Sequence, residues 1–272
     1  MKKILISIGL ACLVVACATN PFTGKKTLNF VSNSQLFPTA FQQYDEFLKE
    51  NQVVTGTAEA QKVKEVGQRI AAAAQKWLTA NGYSNYLDGY EWEYHLVKSD
   101  EVNAWCMPGG KIVVYTGILP ITQDEAGLAV VLGHEVAHAL ANHGAQRMSA
   151  SQIQQYVGLA GSLALSGKSE QTQQIFAQAY GVGTQVGVML PFSRNQESEA
   201  DAIGIQLMAL AGYDPYQAPK LWERMQAKSG GSSVPELLST HPSSQSRIQN
   251  LTALAPQAET QARKYGVTSF QK

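Results

Sequence analysis

His134 and His138 lie four residues apart in the run Val131-Leu132-Gly133-His134-Glu135-Val136-Ala137-His138. On a helix that spacing puts both imidazoles on one face, one turn apart. Two imidazoles so placed can bind one metal ion, and Glu135 sits beside them. This is the H-E-x-x-H arrangement, in which the histidines hold zinc and the glutamate is the general base of hydrolysis. The alternative is a buried helix whose two histidines are satisfied by hydrogen bonds.

A catalytic zinc requires three protein ligands and an open position for water. The segment Glu197-Ser198-Glu199-Ala200-Asp201 offers them. Glu197 and Asp201 are at i and i+4 and share a helix face, whereas Glu199 points roughly 200° around from Glu197. Glu197 is therefore the expected third ligand. Asp201, one turn on, is placed to accept the free ring N–H of a ligand histidine, which fixes tautomer and orientation. The competing reading is a solvated acidic helix start that interacts with the helix dipole. Two neutral imidazoles and one carboxylate leave the site net positive, which suits a developing oxyanion. Glu135 takes the proton of the attacking water and passes it to the leaving amine.

Two helices must bring these residues together. Thr122-Gln123-Asp124-Glu125 reads as a capping box opening the first, which runs to about Asn142 with Gly144 as its stop. Ser193-Arg194-Asn195-Gln196 reads as a second box, opening a helix through Ala211 that Gly212 closes. Before them, residues 35–50 and 57–80 are helical by spacing, with Val63, Val66, Ile70, Ala73 and Ala74 on one face. Glu91 to Val97 alternates as a strand. Val102 to Met107 and Lys111 to Tyr115 are two more, joined by the Pro108-Gly109-Gly110 turn. The strand 102–107 is the expected substrate platform. A peptide can pair with its edge through main-chain bonds at Ala104, with Asn103 adding a side-chain bond; the alternative is ordinary sheet packing.

Residues 149–190 give two Ala/Gly/Gln-rich helices, read as packed over the site rather than facing a membrane. Further helices are expected at 215–228 and 243–254, followed by a polar tail. His95 is assigned no role. His143 is placed on the last turn of the His134 helix, where its charge suits the dipole. Cys106 is read as a small buried hydrophobe.

The chain has 272 residues, 44 % of them hydrophobic, an ordinary globular composition. Lys+Arg and Asp+Glu are both 21, so nothing argues for a nucleic-acid partner. At the N-terminus Lys2-Lys3 precede an apolar run, Ile4 to Ala16, too short to span a bilayer as a helix. The run ends in Val14-Val15-Ala16-Cys17, which resembles a bacterial lipobox cleaved before Cys17. Alternatives are an uncleaved anchor or an ordinary signal peptide. The expected organisation is a lipoprotein signal peptide over 1–16, a tether over 17–34 anchored through lipid on Cys17, and a single domain over 35–272.

H-E-x-x-H followed by E-x-x-x-D resembles the zinc metallopeptidase family that contains the CaaX prenyl proteases and HtpX, in its soluble lipoprotein branch typified by LoiP and BepA. Val102-Asn103-Ala104 before a Gly-rich turn, Ser193-Arg194 before the Glu197 helix, and His241-Pro242 with Arg247 match too. The resemblance covers about residues 35–254. It implies an α+β, mostly α-helical, zincin-like (minigluzincin) core with a small β-sheet before the H-E-x-x-H helix. It implies one Zn2+ per chain held by His134, His138 and Glu197, with Glu135 as base and Asp201 behind the ligands. His241 resembles a histidine that approaches the metal in relatives, either occluding it or stabilising the transition state, with Arg247 in support; the alternative is a turn histidine before a helix. The implied function is cleavage of unfolded or misassembled proteins of the bacterial envelope, from a lipid anchor on the periplasmic face of the outer membrane. A chaperone-like assembly factor with a latent metal site is the rival. The membrane spans of the prenyl proteases and the tandem helical repeats of BepA have no counterpart in the sequence.

Overall fold

The structure, a computed structural model, describes residues 17–185, 189–229, 236–241 and 245–272. The strands are β1 (Cys17–Thr19), β2 (Lys26–Leu28), β3 (Val53–Val54), β4 (Glu93–Val97), β5 (Ala104–Met107) and β6 (Lys111–Tyr115). The helices are α1 (Asn33–Glu50), α2 (Ala58–Ala80), the one-turn α3 (Leu119–Thr122), α4 (Glu125–Leu140), α5 (His143–Ala164), α6 (Glu170–Thr184), α7 (Leu190–Leu210), α8 (Gln217–Ser229), α9 (Glu236–Thr240) and α10 (Gln245–Lys264). The fold is α+β and mostly helical, as expected. The described residues fall into two compact units, the larger drawn from 33–141 and 198–272 and the smaller from 17–32 and 142–197; α7 contributes to both.

In the larger unit the sheet order is β3-β4-β6-β5. From β4 the chain crosses to the outer position as β5, then returns antiparallel as β6, which pairs parallel with β4. The hairpin between β5 and β6 turns at Gly109 and Gly110, whose φ values of 86° and 92° favour glycine. β5 is thus an edge strand, and it packs beside α4. Tyr44, Val97 and Val113 form an apolar cluster joined by Phe47, Trp105 and Met107.

Helix α2 begins where Thr57 caps it, its side chain accepting from Ala60 N at 3.2 Å. Its buried stripe, Val63, Val66, Ile70, Ala74 and Trp77, packs against α4 and β4. At Gly67 a β-carbon would stand 2.2 Å from the Tyr94 ring, so only glycine lets the strand approach. In α4 every residue from Ala126 to Leu140 is buried. A helix apolar all round belongs inside a core.

The cap of α4 is Asp124, whose side chain accepts from Gly127 N at 2.7 Å, and not Thr122. Thr122 ends α3 and its hydroxyl donates to the Leu119 carbonyl, while the chain reverses at Gln123 with φ 67°. Helix α4 stops at Leu140 because Asn142 adopts the left-handed conformation, φ 55°, which asparagine tolerates. Gly144 is not the stop but lies inside α5, and His143 is the buried first residue of α5 rather than part of the His134 helix. Helix α7 starts at Leu190, so Ser193 caps nothing. The Gln196 amide instead donates to the His143 carbonyl and to Gln146 Oε1. The tail after 254 is helical, because Ala255, Ala258 and Ala262 supply a buried stripe that the polar composition hid.

In the smaller unit, part of the expected tether is a hairpin: β1 pairs antiparallel with β2. Asn20 Oδ1 accepts from Phe22 N at 2.9 Å, the local bond that starts such a turn. The two helices expected in 149–190 are α5 and α6, packed on each other. The signal-peptide expectation for residues 1–16 lies outside the described residues.

Candidate metal centre

Two glycines set the approach of α4 to α7. A β-carbon on Gly133 would stand 2.8 Å from the Gly204 carbonyl oxygen, and one on Gly204 would stand 2.8 Å from the backbone nitrogen of His134. The helices touch backbone to backbone there. Gly133 directly precedes His134, and Gly204 lies three residues after Asp201. The contact therefore brings the histidine and the aspartate together.

The His134 and His138 rings face each other edge-on, with Nε2 atoms 3.1 Å apart. His241, just after α9, brings its Nδ1 to 3.3 Å from His134 Nε2. Three imidazole nitrogens converge within these distances. Their lone pairs repel one another unless a proton or a cation lies among them. A tetrahedral zinc with Zn–N bonds near 2.0–2.1 Å separates its ligand nitrogens by about 3.3–3.4 Å. The observed 3.1 and 3.3 Å match that span, so the residues fit a metal ion.

On its other side His134 is held. Its Nδ1 lies 3.0 Å from Asp201 Oδ1. Asp201 also accepts two bonds from Arg247, Nε to Oδ2 at 2.6 Å and Nη2 to Oδ1 at 2.8 Å. Burial pushes the Asp201 carboxyl up, but the Arg247 guanidinium and the His134 bond outweigh it and hold the group below its ordinary 3.8. The carboxylate fixes the His134 tautomer, with the proton on Nδ1 and the lone pair on Nε2. Arg247 Nη1 also donates to the His241 carbonyl at 3.3 Å. One arginine thus ties the α4–α7 contact to the segment carrying His241.

Glu135 is buried, and its Oε1 lies 3.6 Å from His241 Nε2, beyond hydrogen-bond reach. That oxygen has no hydrogen-bond partner among the described residues. A buried carboxylate oxygen without a donor is costly and is expected where a proton is to be received. Glu197 is the last residue of the smaller unit; it is buried and stands one turn before Asp201 on the unbroken α7.

The expected substrate strand is β5, and its outer edge is partly taken. Pairing places residues 103, 105 and 107 toward β6, so 102, 104 and 106 face outward. The Val102 carbonyl accepts from Leu237 N at 3.1 Å. Asn103 Oδ1 accepts the Ala104 N–H at 2.9 Å, so this oxygen serves its own strand. Ala104 is buried as a whole residue, and the pairing turns its main-chain groups toward the outer edge. Of Cys17 the structure gives the backbone pairing in β1.

Sequence reasoning missed Gly133, Gly204 and Trp222. The two glycines were visible only as small residues. Trp222 of α8 lies against the Arg247 guanidinium, 3.5 Å from its ring centroid, and 5.8 Å from the His134 ring. Its single apolar-stripe position gave no sign of that. His95 proved to be engaged, with Nδ1 2.7 Å from the Tyr44 hydroxyl.

The family model for peptidase family M48 matches residues 57–255, which include every residue of this cluster. This chain belongs to peptidase family M48. Membership places it among the metal-dependent peptidases. The chain is 40 % identical over 177 residues to the mitochondrial metalloendopeptidase OMA1 of Schizosaccharomyces pombe, covering 64 % of this chain and 49 % of the relative. It is 33 % identical over 244 residues to the mitochondrial metalloendopeptidase OMA1 of Danio rerio, covering 88 % and 50 %. It is 34 % identical over 159 residues to the beta-barrel assembly-enhancing protease of Escherichia coli K12, covering 57 % and 32 %. The chain therefore spans about half or less of the length of these relatives. Among the described residues no helix is long and apolar enough to cross a membrane.

Proposed function

We propose that this chain is a zinc-dependent endopeptidase that cleaves unfolded or misassembled proteins of a bacterial envelope, in the lipoprotein branch of its family. The observation that carries the reading is the convergence of His134 and His138 nitrogens at 3.1 Å, with Asp201 holding the far nitrogen of His134. Glu197, on the face of α7 that carries Asp201 one turn away, is assigned as the third ligand. A zinc ion there would polarise the scissile carbonyl and acidify a nearby water. Glu135 Oε1 accepts that water's proton and delivers it to the departing amine nitrogen. The outward Ala104 carbonyl and the Cys106 main-chain groups on β5 pair with the extended substrate backbone, while the Ala104 N–H stays with Asn103 Oδ1; main-chain pairing of this kind gives little sequence preference. Cys17 is assigned as the lipid-bearing residue, on the lipobox-like Val14-Val15-Ala16-Cys17, and the outer membrane's periplasmic face as the location.

His241 stands where a further ligand, a water or a substrate carbonyl would have to stand. In this reading it closes the site at rest, and Arg247 holds its backbone in place. The rival, an assembly factor with a latent site, rests on the same histidine. Casein cleavage with zinc tests both: His241→Ala is expected to cleave several-fold faster than wild type. An inactive His241→Ala protein with full metal content contradicts occlusion and assigns His241 to transition-state stabilisation. No cleavage by either protein under any zinc loading supports the assembly factor.

A further inference from the structure

We propose that Trp222 is a positioning residue for the metal-binding imidazole of His134, acting through the guanidinium of Arg247; this rests on the metallopeptidase reading above. Arg247 is buried, and besides the 3.3 Å bond from its Nη1 to the His241 carbonyl it is held in two ways. In its own plane, the fork formed by Nε and Nη2 grips both oxygens of Asp201 at 2.6 and 2.8 Å. Out of plane, the Trp222 ring lies beneath it at 3.5 Å. A bidentate fork alone leaves the guanidinium free to tilt about the line joining the two oxygens. The ring removes that freedom, and a cation over an aromatic face is held more firmly when both are desolvated. Trp222 is 1 % exposed and Arg247 6 %.

Tilting of Arg247 would carry Asp201 with it, and Asp201 Oδ1 is the acceptor that orients His134 Nδ1 at 3.0 Å. The same ring also meets the His134 imidazole edge-on, at 5.8 Å and 72°. Trp222 therefore braces both the ligand and its holder. The indole Nε1–H is buried with no acceptor among the described residues. A buried tryptophan normally finds a partner for that group. Here the residue is in place for its aromatic face, and phenylalanine would retain that function in part.

The test uses the full chain and chelator competition for zinc. Trp222→Leu should lower zinc affinity about ten- to a hundredfold, the range seen when groups supporting metal ligands are lost. Trp222→Phe should stay within about threefold of wild type, because it restores an aromatic face. Cobalt loaded in place of zinc gives visible absorption bands that report ligand geometry. They should shift in Trp222→Leu and not in Trp222→Phe, a difference that lost packing alone does not produce. Should Trp222→Leu fail to fold, Arg247→Lys serves instead: it keeps the charge, loses the flat stack, and should show the same affinity loss. Wild-type affinity and an unshifted cobalt spectrum in Trp222→Leu or Arg247→Lys overturn the assignment alone. A wild-type chain that binds no metal overturns both this assignment and the metallopeptidase reading.

Discussion

Replacing Asp201 by asparagine keeps the shape of the α4–α7 contact and removes one charge. The amide oxygen can still accept one bond, but the amide nitrogen now faces Arg247. Arg247 becomes a buried cation without its carboxylate, and its Nη2 lies 3.2 Å from the His134 ring nitrogens. Breaking a buried ion pair by removing one partner costs about 3–5 kcal/mol. Asn retains one acceptor, so about 3 kcal/mol is expected in urea unfolding of the metal-free protein. Zinc affinity should fall a further ~10–100-fold, because His134 loses the acceptor that sets its tautomer. The acid limb gives a third readout. The folded Asp201 carboxyl lies below its ordinary 3.8, so the unfolded chain binds the proton more readily. Its contribution is therefore present above about pH 4 and is lost as pH falls through the lower, folded value. Wild-type stability should drop through that window more steeply than that of Asp201→Asn. A variant within 1 kcal/mol of wild type at pH 7, on the order of experimental scatter, with unchanged zinc affinity would refute the placement of Asp201 behind His134.

Gly133→Ala puts a β-carbon 2.8 Å from the Gly204 carbonyl, with backbone rather than a flexible side chain in the way. It should destabilise by about 1–3 kcal/mol and lower metal affinity as well, measured by unfolding and chelator competition; a fully stable variant would show that the helices do not meet there. Cys106 is half-buried rather than the small buried hydrophobe expected, and desolvation with the Glu135 charge pushes its thiol up. Its reaction with a maleimide at pH 8 should be much slower in the folded protein than in denaturant, and equal rates would contradict that environment. Tyr44→Phe removes the hydroxyl bonded to His95 and to the Ile112 carbonyl. A loss of about 1 kcal/mol in urea unfolding is expected, with casein cleavage unchanged because neither residue belongs to the metal-binding group.

The H-E-x-x-H spacing and the E-x-x-x-D spacing were legible because each lies within one helix, where sequence separation fixes the face. The sheet strands were legible from alternation and from Gly109-Gly110. What brings two helices together is not written in the period of either. Gly133 and Gly204 become meaningful only once each faces the other's backbone. Trp222 looked like one more apolar residue on α8 until α10 laid Arg247 across it. The caps at Thr122 and Ser193 failed for a related reason. A capping pattern identifies side chains that can accept but not where the helix begins: Thr122 closes the preceding turn, and α7 already starts at Leu190, ahead of Ser193. His143 moved from one helix to the next because a single left-handed asparagine divides them.

In the proposed mechanism Glu135 removes a proton at a site where His134 and His138 hold a metal. Glu135→Gln leaves every metal-directed nitrogen in place and removes the proton acceptor. Metal content and casein cleavage, measured together on wild type and Glu135→Gln, separate binding from chemistry. About one equivalent of zinc in both proteins is expected, with cleavage lowered by about 10²–10⁴-fold in the variant. Zinc-dependent cleavage by Glu135→Gln at the wild-type rate, or a wild-type chain that holds no metal, would contradict it.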